Sequence, residues 1–186
     1  NEYENNVNNN WYTNRKAKFC LEQTGQYVRG VIGLAALRQH DSSEREIAKF
    51  ERVARKMYLP EDKREGIFLQ QDGFMDKEII PAENLDPADR PINQKWSWDR
   101  ILRSCYIKQA DVLQGLYALR HLYDRETIDA NFAFYEPLTV HESSLSPCVH
   151  AILAADLGRY DKAVEMYRRT ARLDLDNAVS FPPLPL

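Results

Sequence analysis

The chain has 186 residues, of which 44% are hydrophobic, and its 25 basic and 28 acidic residues give a formal net charge of -3. This length and apolar content predict one globular domain with a real core. Charges of both signs are scattered along the chain, so no strong positive field exists to attract nucleic acid or an anionic membrane. No apolar run approaches the roughly 20 residues of a spanning helix, and the start lacks a secretory pattern. We expect a soluble, cytoplasmic protein with no nucleic-acid or membrane partner.

Helical periodicity dominates the first sixty residues. An asparagine at position 9 or 10 is a good N-cap, and apolar positions recur from Trp11 to Leu37 with glycine interruptions. This pattern predicts one broken helix or two short ones. Ser43 and Glu46 form a capping box that begins a further helix, and Pro60 ends it.

Residues 61–98 lose this periodicity. The stretch GIFLQQDGFM and the prolines that follow predict a short extended segment inside a long loop, and loops of that length commonly line a site.

Helical periodicity returns after residue 106. It runs through YIKQADVLQGLY, ETIDANFAFYEP, LSPCVHAILAADLG and YDKAVEMYRRTARLD, and Gly158 separates the last two segments as a C-terminal stop. Short connections between successive helices predict antiparallel hairpins with little or no sheet. The proline-rich ending FPPLPL predicts polyproline-like extension.

Cysteines and histidines are sparse. The three cysteines, Cys20, Cys105 and Cys148, contain no CxxC pair, which favours reduced thiols used for packing over a disulfide framework or a zinc site. His141 and His150 lack the i, i+4 spacing that places two imidazoles on one helical face. We therefore predict no metal site.

Two stretches combine aromatic and amide side chains, NEYENNVNNNWYTN and INQKWSWD. This is the chemistry of a carbohydrate pocket, because rings stack on the apolar faces of a sugar and amides bond its hydroxyls. A helix cap with ordinary core aromatics is the alternative interpretation of each stretch.

Lys108 and Gln109 are predicted to lie at the first turn of a helix. A helix start has free N–H groups and partial positive charge. Together with the Lys108 ammonium and the Gln109 amide, these would form a site for hydroxyls or an anion. An ion pair between Lys108 and Asp111 is the alternative. The serines of HESSLSP could cap the next helix, and no nucleophile elbow surrounds them, so a serine hydrolase is not predicted.

Five long motifs resemble, in the same order, the catalytic domain of the glycoside hydrolase family 65 disaccharide phosphorylases. They are NEYENNVNNNWYTN, YLPEDKREGIFLQQDGF, RPINQKWSWDRILRSCYIKQADVLQGLY, NFAFYEPLTVHESSLSPCVHAILAADLG and RTARLDLDN. The resemblance covers residues 1–177 and implies an all-α fold, the C-terminal part of an (α/α)6 toroid built of antiparallel helical hairpins. Residues 178–186 diverge and are expected to form an extended tail.

The resemblance also implies an activity and its residues. The family's single proton donor lies in a Gly-Pro-(Asp or Asn)-Glu-Tyr segment, which this chain matches at Glu2, and the family's sugar-holding Lys-Gln pair matches Lys108 and Gln109. The implied reaction is inverting phosphorolysis of an α-glucosyl disaccharide, with maltose as first candidate and inorganic phosphate as co-substrate, without a cofactor. Phosphate is already anionic, so no base is required. We expect a raised pKa for Glu2, through burial beside Trp11 or Tyr12 and nearby phosphate.

Several alternatives remain open at this point. The same residues would suit phosphorylases of trehalose, kojibiose or nigerose, or an inverting hydrolase, because all share the glucosyl unit. The segment LGRYDKAVEMYRRTARLD also imitates one tetratricopeptide helix pair of a helical-repeat binding module, although repeat folds need several units. Family members carry further segments on both sides, including a phosphate-binding loop, and are expected to be homodimeric. We expect the isolated chain to be inactive and prone to associate.

Overall fold

The computed structural model describes residues 1–32, 44–143, 145–172 and 175. Within these ranges the chain is mostly helical, as predicted. Its α-helices are α1 (Trp11–Tyr27), α2 (Glu44–Lys56), α3 (Ile92–Lys95), α4 (Trp98–Arg103), α5 (Asp111–Ala118), α6 (Arg125–Tyr135), α7 (Ser146–Asp156) and α8 (Tyr160–Arg172). Two short strands, β1 (Glu61–Asp62) and β2 (Ile67–Phe68), pair antiparallel. Single 3-10 turns lie at Phe74–Asp76, Ala82–Asn84, Pro87–Asp89 and Arg120–Leu122.

Helix α1 begins where the sequence predicts. The side chain of Asn10 accepts a hydrogen bond from the Thr13 N–H at 2.9 Å and so satisfies one of the free donors of the first turn. A π-helical turn, Val28–Ile32, continues the helix beyond Tyr27, which confirms a broken helix as far as residue 32. The predicted continuation to Leu37 and the Ser43 half of the capping box lie outside the described residues.

The long loop after α2 begins with the predicted extended segment, which is the β1–β2 hairpin. Helix α6 holds this hairpin through two buried side chains. The Asn131 Oδ1 accepts from the Phe68 N–H at 2.8 Å, and the Tyr135 hydroxyl donates to the Phe68 carbonyl at 2.6 Å. Because a buried backbone group must find a partner, these two side chains complete the hydrogen bonding of β2.

Helices α7 and α8 form a hairpin. Gly158 follows α7 with a φ of 77°, a left-handed conformation that glycine adopts without a side-chain penalty. Helix α8 begins two residues later at Tyr160, so the short connection turns the chain back on itself, as predicted. Met166 of α8 is buried, whereas Val164 and Tyr167 of the same helix are exposed.

The core lies where α1, α5, α6 and α7 meet. Trp11 is 0% exposed, stacks on Phe68 with ring centroids 4.7 Å apart, and contacts Gly115 of α5. Tyr3 is 1% exposed. Both rings are therefore core residues, and the prediction that the rings of the first stretch line a sugar pocket is wrong for these two. Burial of their large apolar area stabilises the fold more than exposure in a pocket would.

The cysteines are free thiols in different environments. Cys105 is buried in the core, whereas Cys20 and Cys148 are exposed, so the packing interpretation is wrong for the latter two. In the described ranges no cluster of three or more His, Cys, Asp or Glu side chains could hold a metal ion. No helix in this part of the chain has the length and apolar character needed to cross a membrane.

Candidate active site

Segments that are distant in the sequence meet at the N-terminal end of α5. Ile107 forms a parallel β-bridge with Thr139, in which its N–H donates to the Leu138 carbonyl and its carbonyl accepts from the Val140 N–H, each at 3.0 Å. This bridge places Lys108 and Gln109, which follow Ile107, beside the turn at residues 141–143. The start of the chain then packs across both segments.

Lys108 and Gln109 lie just before α5 and not in its first turn. The helix begins at Asp111, because the backbone of Ala110, its N-cap residue, is extended and not helical. The Asp111 N–H donates to the Gln70 Oε1 at 3.1 Å, so this helix start is already bonded by a side chain. The Asp111 N–H is therefore not one of the free helical N–H groups that were expected beside the lysine and the glutamine.

The Glu2 carboxylate contacts both predicted sugar-binding residues. Its Oε2 accepts from the Lys108 ammonium at 2.5 Å, and its Oε1 accepts from the Gln109 Nε2 at 2.8 Å. The Gln109 Oε1 also accepts from the Glu2 main-chain N–H at 3.2 Å. Lys108 thus pairs with Glu2 and not with Asp111, whose carboxylate accepts from the Asn10 Nδ2 at 2.9 Å.

The pKa of Glu2 is shifted in the direction opposite to the prediction. Its side chain is 59% exposed, and the hydrogen bonds from Lys108 and Gln109 hold the pKa of the carboxyl below its usual range. The expected burial beside Trp11 or Tyr12 does not occur, because Trp11 points into the core while the Glu2 side chain points outward. In this structure the acid is stabilised in its ionised form.

A carboxylate and a hydroxyl on the turn at residues 141–143 complete the site. The Tyr3 hydroxyl donates to Glu142 Oε2 at 2.9 Å, and the Ile92 N–H donates to the same carboxylate at 3.1 Å. The adjacent Ser143 Oγ accepts from the Gln109 Nε2 at 3.2 Å. Neither Glu142 nor Ser143 was among the site residues predicted from the sequence. Their signal in the sequence is their place in the polar segment HES, which directly follows the run LTV.

The second aromatic stretch is divided between two environments. The Trp96 ring is covered by the Arg100 guanidinium, which lies 3.6 Å from the ring centroid. Trp98 is 58% exposed and meets the Tyr3 ring edge-on, with centroids 6.4 Å apart. Of these two indoles, Trp98 is the more exposed and lies beside the Glu2 segment, which retains the carbohydrate interpretation for this ring.

A buried polar cluster lies behind the turn. His141 has a φ of 54° and its Nδ1 lies 3.2 Å from the Ser146 Oγ, while its carbonyl accepts from Arg169 at 2.6 Å. The His150 ring lies edge-on to that of His141 with centroids 4.6 Å apart, and burial lowers the pKa of His150 to about 3. These contacts define the backbone path that presents Glu142.

The chain resembles known proteins along nearly its whole length. The profile described as the glycosyl hydrolase family 65 central catalytic domain matches residues 1–180. The chain is 54% identical over 178 residues to maltose phosphorylase of Bacillus subtilis (strain 168) and 34% identical over 185 residues to kojibiose phosphorylase of Halothermothrix orenii. It is 36% identical over 182 residues to alpha,alpha-trehalose phosphorylase of Geobacillus stearothermophilus. These matches cover 94–95% of this chain but only 23–24% of the relatives.

A solved structure leads to the same family. A chain assigned as a kojibiose phosphorylase from the human microbiome superposes with a TM-score of 0.85 at 34% sequence identity, over 95% of this chain and 25% of that one. The helical hairpins described above are therefore part of an (α/α)6 fold, and the helical-repeat alternative is wrong. The chain spans about a quarter of the length of the relatives it matches. It belongs to glycosyl hydrolase family 65 and lies within that family's central catalytic domain.

Proposed function

We propose that this chain carries the acid and part of the glucose-binding site of an inverting disaccharide phosphorylase that acts on maltose. The 54% identity to the Bacillus subtilis maltose phosphorylase supports maltose over the disaccharides of the relatives matched at 34–36%. The activity is proposed for a complete enzyme that contains this chain, because the chain spans 23% of that relative.

The observation that carries the proposal is the contact of one carboxylate with a lysine and a glutamine. In the proposed reaction, the Glu2 carboxyl gives its proton to the glycosidic oxygen while the bond between that oxygen and the anomeric carbon breaks. Lys108 and Gln109 hold hydroxyls of the glucosyl unit. A phosphate oxygen attacks the anomeric carbon from the opposite face, so the α-linkage becomes β-glucose 1-phosphate, and glucose leaves with the proton.

The lowered pKa of Glu2 has a direct explanation within this mechanism. Lys108 and Gln109 bond the Glu2 carboxylate in this structure, at 2.5 and 2.8 Å. Hydroxyls of a bound glucosyl unit would compete for the same two donors, and a neighbouring phosphate anion would oppose the negative charge of the carboxylate. Both changes raise the pKa, so substrate binding would load the acid with its proton.

Several finer properties belong to this proposal. Phosphate is a co-substrate, and the reaction uses no cofactor or metal, because the nucleophile is already an anion. The complete enzyme is proposed to be homodimeric and cytoplasmic. A hydrolase of the same family would instead need a base to activate water.

The proposal can be tested in a complete enzyme. We would replace the matching segment of the Bacillus subtilis maltose phosphorylase by this chain and assay maltose, trehalose, kojibiose and nigerose with and without phosphate. We expect phosphate-dependent formation of β-glucose 1-phosphate from maltose in preference to the other three. Glu2→Gln should reduce turnover by on the order of 100-fold or more, since it removes the general acid.

A matched control uses Glu126, an exposed glutamate of the first turn of α6. Glu126→Gln makes the same change of charge and should retain normal turnover. Near-normal turnover of the Glu2→Gln enzyme would contradict the role of Glu2. Glucose release without phosphate would indicate a hydrolase, and a preference for another disaccharide would correct the substrate.

A further inference from the structure

Adjacent side chains at the start of the chain point in opposite directions. Tyr3 is 1% exposed, whereas the Glu2 side chain is 59% exposed and reaches Lys108 and Gln109. Burial of the Tyr3 ring therefore determines which way Glu2 can point. The proposed reaction does not require Tyr3 to touch the sugar, so its buried hydroxyl needs a separate explanation.

The Tyr3 hydroxyl is bonded to a carboxylate that is itself held in place. Glu142 accepts from Tyr3 at 2.9 Å and from the Ile92 N–H at 3.1 Å. Burial and the neighbouring carboxylate raise the pKa of the Tyr3 hydroxyl, so it remains a neutral donor at ordinary pH. A hydrogen bond to an ionised acceptor is stronger and more directional than one between neutral groups.

A closed ring of bonds joins this pair to the acid. Glu2 precedes Tyr3, Tyr3 donates to Glu142, and Glu142 precedes Ser143, whose Oγ accepts from the Gln109 Nε2 at 3.2 Å. The same Nε2 donates to the Glu2 carboxylate at 2.8 Å. The Gln109 Oε1 accepts from the Glu2 N–H at 3.2 Å, so the amide group uses both its donor nitrogen and its oxygen within the ring.

We propose that Glu142 is a positioning residue for the acid, which holds the Tyr3 hydroxyl and thereby fixes the Glu2 side chain at Lys108 and Gln109. This inference rests on the proposed role of Glu2 as proton donor. Small displacements of a reacting group reduce catalysis steeply, so loss of either partner of the Tyr3–Glu142 bond would slow the proton transfer while the sugar-binding groups remain.

The first test reports on the position of the Glu2 side chain and needs no activity assay. Tyr3→Phe removes only the hydroxyl, and the pKa of the Glu2 carboxyl can be followed by carbon NMR in the 186-residue chain, with its signal assigned from Glu2→Gln. We expect the Tyr3→Phe chain to show a higher pKa for Glu2, closer to the usual value, because the carboxylate leaves its two donors.

Tyr135→Phe is the matched control. Tyr135 is 0% exposed and its hydroxyl donates to the Phe68 carbonyl at 2.6 Å, so it loses the same kind of buried hydrogen bond. This variant should be destabilised without a change in the pKa of Glu2. An unchanged pKa in Tyr3→Phe, or an equal change in Tyr135→Phe, would overturn the proposal.

The second test is kinetic and uses the complete enzyme that contains this chain. Tyr3→Phe and Glu142→Ala should each lower kcat by on the order of 10- to 100-fold with little change in KM for maltose. Glu142→Gln should retain more activity than Glu142→Ala, because the amide oxygen can still accept one bond. The double variant Tyr3→Phe and Glu142→Ala should lose no more kcat than the single variant with the larger loss, since both changes remove the same interaction.

Multiplicative losses in the double variant, or a normal kcat in Tyr3→Phe, would contradict the positioning role. Failure of the proposed function has a different signature, which is retention of turnover by Glu2→Gln. In that case the NMR titration of Tyr3→Phe still decides whether Glu142 and Tyr3 hold the Glu2 side chain.

Discussion

The indole of Trp11 lies directly against the backbone of Gly115, so closely that a Cβ atom at position 115 would be 2.5 Å from the Trp11 Cζ3. Glycine at this position lets helix α1 approach helix α5. The Glu2 segment leads into α1, and Lys108 and Gln109 lead into α5, so this contact determines how near the two parts of the candidate site can come.

Gly115→Ala should therefore destabilise the fold. The added methyl group would clash with the rigid Trp11 ring and with Tyr12, whose Cδ2 would be 2.9 Å away. Overpacking of this kind costs about 1–3 kcal/mol in the free energy of unfolding. Urea unfolding would show a lower midpoint. Gly30→Ala is the control, because no atom lies within 4 Å of a Cβ built there, and equal midpoints for the two variants would contradict the packing argument.

Lys108→Met should raise the pKa of the Glu2 carboxyl toward its usual value. The Lys108 hydrogen bond is the largest cause of the lowered pKa, and methionine retains much of the side-chain length without the charge. Carbon NMR titration of the 186-residue chain measures this change. Lys63→Met removes an exposed lysine from the β1–β2 hairpin and should leave Glu2 unaffected. A Glu2 pKa that does not respond to Lys108→Met would mean that the ion pair is absent in solution.

Binding of maltose without phosphate should be accompanied by proton uptake in the complete enzyme. The lowered pKa of Glu2 means that its carboxyl is ionised near neutral pH in the free protein, whereas the proposed mechanism requires the protonated acid when the sugar is bound. Titration calorimetry in buffers of different ionisation enthalpy counts the protons taken up. Glu2→Gln should abolish the uptake, and binding without uptake in the unchanged enzyme would count against substrate-linked protonation.

Stability should fall on mild acidification because of His150. This side chain is 1% exposed, and burial lowers its pKa from 6.5 to about 3. Below pH 6.5 the unfolded chain takes up a proton that the folded chain refuses until near pH 3, so the stability present above pH 6.5 is lost as the pH falls. The slope is about 1.4 kcal/mol per pH unit.

Urea unfolding at pH 7, 6 and 5 would measure this loss. The pKa of Glu136 is lowered from 4.5 to about 2 by the neighbouring His141 ring, 3.9 Å away, and by the Lys162 ammonium at 3.0 Å, so its contribution to stability is lost only below this pH range. His150→Leu should reduce the slope between pH 7 and 5, whereas substitution of the exposed His121 by leucine should leave it unchanged. Equal slopes in all three proteins would show that His150 is not buried as a neutral ring.

Local sequence patterns were sufficient to predict most helices. The 3.6-residue periodicity predicted α6, α7 and α8, and Gly158 marked the turn between the last two, because helix formation and termination depend on residues a few positions apart. The long motifs likewise indicated the family, since their order and spacing extend over nearly the whole chain.

The sequence by itself determined the helical fold class, the family and the three candidate site residues, which are Glu2, Lys108 and Gln109. Only the tertiary structure decided that Tyr3 and Trp11 are buried, that Glu2 is exposed and ionised, and that Glu142 bonds the segment carrying it. The physical reason is distance along the chain: exposure and pKa depend on contacts with residues more than 100 positions away, such as the Tyr3–Glu142 bond across 139 residues. No local pattern encodes such a contact.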